Sequence, residues 1–177
     1  MKKLLLIGLV IMLSSTIKAQ IFVSQMVGDK GKDYDNGLGA FLHFSFPVTE
    51  GDDITAEAGF NWYVLKANKE FSTITVPLKL GYRYSFNRRG SGFYVEPQVG
   101  YNAYGITPVV NEFTKKLENG NFTAPVAAFN VGYLIDVGSI GQVNIGARYE
   151  SVFYAGSPIK VAGLYLTLGR KIRQTEE

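Results

Sequence analysis

The chain has 177 residues, 19% of them charged and 14% aromatic, with 20 glycines and no cysteine. That length suits one domain, and the charged share lies below the roughly 25% usual for soluble domains. The absence of cysteine excludes a disulfide scaffold, a thiolate metal site, a thiol nucleophile and a lipid-modified N-terminal cysteine.

The formal net charge of +3 comes from the N-terminus. Met1-Lys2-Lys3 is a positive start, Leu4 to Leu13 is an apolar run, and Ser14-Ser15-Thr16-Ile17-Lys18-Ala19 is a small-residue exit. This pattern predicts a secretory signal peptide over 1–19, cut after Ala19, with 20–177 forming one β-barrel domain. The run is too short to cross a bilayer as a helix, which needs about 20 residues. Removing Lys2, Lys3 and Lys18 takes Lys+Arg from 18 to 15, equal to the 15 Asp+Glu. The mature chain is then formally neutral, and no nucleic-acid partner is expected.

Beyond the signal, apolar and polar residues alternate with period two, the mark of strands with one greasy and one polar face. Ile21 to Val27 is the first and least regular candidate. Leu38 to Phe46 follows, with Phe41 breaking the polar face. Ile54 to Leu65 sets Ile54, Ala56, Ala58, Phe60, Trp62 and Val64 against Thr55, Glu57, Gly59, Asn61 and Tyr63. Ile74 to Tyr84 is the clearest, its even positions all apolar or aromatic. Phe93 to Tyr104 places Tyr94, Glu96, Gln98, Gly100, Asn102 and Tyr104 on the polar face. Pro125 to Asp136, Gln142 to Phe153 and Val161 to Lys171 complete about eight strands, the even number that single-chain bacterial barrels use. Pro47 to Asp53, Ser85 to Gly92 and Val137 to Gly141 are expected as periplasmic turns. Gly28 to Gly37, Lys66 to Glu70, Gly105 to Phe122 and Ala155 to Ile159 are expected as external loops. The fold expected is all-β, a closed antiparallel up-and-down transmembrane barrel.

Alternation does not say which face is outside, since a lipocalin-like binder would turn its apolar face inward. The apolar faces carry essentially no charge, and the polar faces are rich in Gly, Thr, Asn and Gln rather than Lys and Glu. Both features favour lipid outside. Lipid-facing positions are then Val76, Leu78, Leu80, Val95, Val99, Phe129, Val131 and Ile145. Aromatic girdles are expected from Phe44, Phe46, Trp62, Tyr82, Tyr84, Tyr101, Tyr133, Tyr149 and Phe153.

The segments Ile74-Thr75-Val76-Pro77-Leu78-Lys79-Leu80-Gly81-Tyr82 and Gly92-Phe93-Tyr94-Val95-Glu96-Pro97-Gln98-Val99-Gly100-Tyr101 resemble the small bacterial outer-membrane β-barrel family that includes PorT-like and OmpX-like proteins. The Ala19-Gln20 junction also looks like that group's processing site. The resemblance implies eight strands inserted into the cell outer membrane by its assembly machinery, and implies no single activity. The chain departs from the usual aromatic last residue, ending Gln174-Thr175-Glu176-Glu177. Leu164-Tyr165-Leu166-Thr167-Leu168 is the internal segment left to supply the assembly signal.

The polar face gathers His43, Glu57, Lys79, Arg83, Glu96, Arg148 and Glu150. Short turns would set Phe46 against Ile54 and Leu65 against Phe71. His43 then faces Glu57, Glu57 faces Lys79, and Arg83 is a diagonal neighbour of Glu96. A buried ion-pair network filling a narrow barrel is the expected role. His43 is the sole histidine, so a lipid-modifying enzyme, the alternative class, would have to use it. The segment Asp29 to Gly37 lacks calcium-loop spacing and is expected as a solvated loop. Lys115, Lys116, Glu118 and Asn119 form a charged external loop and the expected surface for a protein partner. No catalytic, cofactor or metal residues are assigned. The expected role is surface interaction or adhesion, membrane integrity, or membership of a membrane complex.

Overall fold

The computed structural model describes residues 16–87, 91–111, 115–138, 141–154 and 158–169. Most of the expected signal and the Gln174–Glu177 ending lie outside the described residues. Eight strands run in chain order: β1 (Thr16–Val27), β2 (Gly37–Pro47), β3 (Asp52–Val64), β4 (Ser72–Ser85), β5 (Gly92–Val110), β6 (Leu117–Asp136), β7 (Gln142–Val152) and β8 (Ile159–Gly169). Each pairs antiparallel with its chain neighbours, and β1 pairs with β8 to close an up-and-down barrel. No described helix is long and apolar enough to cross a membrane. Strands of 11–14 residues are long enough to do so when tilted, since about 9–11 suffice.

Alternation is the cause of the fold. Along β2, Gly39, Phe41, His43 and Ser45 are buried, while Leu38 and Leu42 are more than half exposed. The lumen is therefore filled with side chains and the outer surface is apolar. Phe41, which looks like a break in the sequence pattern, points inward with its parity. β1 begins at Thr16, upstream of the expected cut after Ala19, because Lys18 and Gln20 continue the inward face and Ile17 continues the outward one.

Three expectations change. Gly105 to Phe122 is not an open loop: β5 and β6 stay paired from Gly105↔Phe122 to Val110↔Leu117, and the Asn111 N–H donates to the Lys116 carbonyl just beyond. Glu118 and Asn119 accordingly lie on β6, and Lys115 and Lys116 precede it, Lys115 with φ of 53°. Tyr104 faces outward, since an irregularity between Asn102 and Gly105 shifts the strand's parity by one. The Asp29 to Gly37 segment carries a short 3-10 turn over Asp29–Lys32, and its Tyr34 is buried, accepting a hydrogen bond from Thr73 Oγ1 at 3.0 Å. It is thus partly a plug rather than a wholly solvated loop. Backbone bonds from Asp35 to Val64 and from Lys66 to Asp33 lace it to the β3–β4 connection.

The lumen divides along its length. Toward the long-loop end, Met26, Tyr34, Tyr63, Phe122, Ala124, Val126, Val152, Ile159 and Val161 form an apolar cluster. Below it the interior is charged. Nearer the short turns, Tyr94 and Tyr165 meet hydroxyl to hydroxyl, and Tyr94 donates to Asn144 Oδ1 at 2.9 Å. Room for these rings comes from Gly132 and Gly146, paired across β6 and β7. A methyl at Gly132 would sit 2.6 Å from the Tyr94 hydroxyl. Gly132→Ala is expected to cost about 1–3 kcal/mol through overpacking, read as a lower midpoint in urea unfolding of the reconstituted barrel.

Candidate functional site

The barrel interior holds its charge in pairs. Short hairpin turns fix the register that puts His43 opposite Glu57 and Glu57 opposite Lys79. Glu57 is the hub. Its carboxylate lies 2.9 Å from Lys79 Nζ, 2.5 Å from Arg148 Nη2 and 3.5 Å from His43 Nδ1. Lys79 also pairs with Glu150, and Arg148 Nε donates to Asn130 Oδ1 at 2.9 Å.

A second group lies toward the short turns. Arg83 Nε and Nη2 both reach Glu96 Oε2, at 2.9 and 2.7 Å. The flanking register places these two residues directly opposite rather than diagonally, because Gly81 faces Gln98 and Tyr84 faces Val95. Thr55 and Gln98 donate to the other Glu96 oxygen, and Asp53 lies 4.0 Å from Arg83 Nη1. Lys18 donates to Gln142 Oε1 at 2.5 Å.

Aromatic faces line the cations. Arg83 stacks 4.4 Å from the Tyr94 ring centroid, and Arg148 lies between Phe41 and Phe22 at 4.8 and 5.2 Å. Among the described residues, Lys79, Arg83 and Arg148 stand against Asp53, Glu57, Glu96 and Glu150, and Lys18, which lies before the expected cut, is the fourth cation. Burying single charges is costly, so this pairing lets so narrow a lumen hold them. Asp53, Asn130, Phe41, Phe22 and Tyr94 are members that the sequence reading did not assign to the network. All lie on inward parity, so the signal was present, but parity alone does not rank them. Among the described residues no group of three or more His, Cys, Asp or Glu side chains is arranged to hold a metal.

The outer face carries the apolar positions. Leu78, Leu80, Val99, Phe129, Val131 and Ile145 are 42–67% exposed, and Val76 and Val95 are outward but half-buried. Trp62, Tyr82, Tyr84, Tyr101, Tyr133, Tyr149 and Phe153 are exposed on the same face, and Phe44 and Phe46 lie there half-buried. At the short-turn end, Tyr84 packs edge-on to Phe86 and Phe93 to Tyr133.

Comparison with known proteins gives no matching family model and no match among characterised sequences. Solved structures do match. Neisserial surface protein A aligns with TM-score 0.63 at 10% identity, covering 90% of this chain and 97% of its own. Ail, the attachment invasion locus protein of Yersinia pestis, solved with the heparin analogue sucrose octasulfate, aligns with TM-score 0.60 at 14% identity over 88% and 96%. The N-terminal β-barrel domain of Pseudomonas aeruginosa OprF gives 0.57 at 11% over 88% and 97%. The chain has the fold of the small eight-stranded outer-membrane β-barrels. The paired backbone and apolar exterior of this barrel suit lipid. A lipocalin-like arrangement, with apolar faces turned inward, does not fit that exterior.

Proposed function

We propose that this outer-membrane barrel is a non-enzymatic surface-interaction protein whose β5–β6 hairpin docks an extended strand of a partner protein. The observation that carries this is the reach of the hairpin. β5 and β6 have 19 and 20 residues against 11–14 in the other strands. Beyond the barrel both arms run on, roughly 20 Å at the usual rise per residue. Pairing of β4 with β5 ends at Ile74↔Ile106, and pairing of β6 with β7 ends at Val126↔Val152. Among the described residues, each arm therefore keeps one open edge. Pro108 interrupts the β5 edge, because it has no N–H to offer. The β6 edge over 117–124 has no proline and a single charge, Glu118, so its backbone can accept a further strand.

Three further observations support the reading. The long loops of such barrels face outward. Ail, which shares the fold, is an attachment invasion locus protein. His43 is 2% exposed and enclosed by the barrel wall, so a lipid substrate has no route to it.

The test replaces 107–120 with an Asn-Gly turn joining Ile106 to Asn121, which are already paired. The shortened barrel is expected to fractionate with the outer membrane and keep its heat-dependent shift in electrophoresis. Cells producing it should lose attachment to an immobilised host-cell layer that the parent protein supports. Undiminished attachment would overturn the hairpin's role. Asn119→Pro, which blocks the edge and spares every other side chain, should reproduce the loss.

A further inference from the structure

The two charge groups of the lumen meet at one residue. Among the described residues, His43 is the side chain hydrogen-bonded to both the Arg83–Glu96 pair and the Glu57 hub. Its Nε2 lies 2.8 Å from Arg83 Nη2, and its Nδ1 lies 3.5 Å from Glu57 Oε2. A guanidinium has donors only, so the short contact requires a bare Nε2 lone pair. The ring proton must then sit on Nδ1, directed at the Glu57 carboxylate.

We propose that His43 is a fixed-tautomer junction whose neutral ring couples the two interior ion groups. A ring carrying its proton on Nε2 would set an N–H against the Arg83 N–H group and lose the 2.8 Å hydrogen bond. Arg83 would then rely on Glu96 and Asp53 alone.

The groups around the ring are mixed in sign. Lys18 faces it from β1, Asp53 and Glu57 from β3, and Lys79 and Arg83 from β4. Tyr94 and Glu96 stand on β5 beside Arg83, Arg148 on β7 shares Glu57, and Tyr165 on β8 touches Tyr94. Lys79, Arg83 and Arg148 are matched by Asp53, Glu57 and Glu96, with Lys18 the one cation over, so the tautomer is fixed by the Arg83 contact rather than by a one-sided field.

Because this is the chain's one histidine, its imidazole nitrogens can be read without assignment. In a long-range ¹H–¹⁵N spectrum of the full barrel in nanodiscs at pH 8, the expected signal is protonated Nδ1 and bare Nε2. A proton on Nε2, or an average of both tautomers, overturns the proposal. Urea unfolding at pH 8 supplies the second arm. The parent barrel is expected to unfold about tenfold more slowly than His43→Phe, which keeps an aromatic ring but offers Arg83 no acceptor, the scale of one charge-assisted hydrogen bond. His43→Gln, whose amide oxygen can accept from Arg83, should recover part of that difference. Equal rates in all three proteins overturn the proposal, and the spectrum decides alone if the variants do not fold.

Discussion

Glu57→Ala is expected to be the most damaging single interior substitution. It leaves Lys79 keeping only Glu150, removes the one carboxylate that Arg148 Nη2 reaches, and takes away the Nδ1 partner of His43. Removing one member of a buried ion pair typically costs about 3–5 kcal/mol, because the remaining charge stays buried without compensation. Loss of that size would leave most of the protein running at the unfolded position in unheated electrophoresis. A companion variant separates charge imbalance from charge itself. Replacing Glu57, Lys79, Arg148 and Glu150 together by apolar residues of similar volume removes both signs at once. That variant is expected to regain most of the stability, since such exchanges are often neutral or favourable. If the single and quadruple variants were equally unstable, packing of these long side chains rather than their charge would be the dominant contribution.

The second large effect is on the outer face. Val99 is 67% exposed and sits between Leu80 and Ala127. In lipid, Val99→Arg should cost about 2–4 kcal/mol, the penalty for a cation near the midplane of a barrel exterior. Val110 is 62% exposed at the far end of the projecting hairpin. Val110→Arg should be close to neutral, because that position stands in water. Urea unfolding in phospholipid vesicles measures both. A similar cost at the two sites would mean that the hairpin is immersed rather than projecting.

Much of this architecture could be read from residue parity. The faces of β3, β4 and β6 follow from strict alternation, and the tight turns after Phe46 and Leu65 set the register that brings His43, Glu57 and Lys79 together. The contacts that cross the lumen could not be read that way. Lys79 meeting Glu150, and Arg148 meeting Glu57, depend on barrel circumference and strand stagger, which no single hairpin specifies. Tyr104 was misplaced because period-two reasoning has no memory of an inserted residue, and a bulge reverses every assignment after it. The hairpin beyond Gly105 was hidden by its composition. Gly120, Asn119, Asn121 and Pro108 read as loop residues, yet cross-strand pairing holds them extended. The rule of polar inside also failed near the mouth, where Met26, Phe122, Ile159 and Val161 turn inward and pack against one another.

The seam between β1 and β8 has a consequence for how the molecule is made. Seven of the eight strand junctions in the closed ring join chain neighbours, so each can form as a local hairpin while synthesis or export proceeds. The eighth joins residues such as Ile21 and Leu166, which lie at opposite ends of the domain. Until β8 arrives, β1 keeps a bare edge able to recruit another chain. Closure is therefore a late, all-or-nothing event, and a chain halted before Ile159 would have seven strands and two sticky margins.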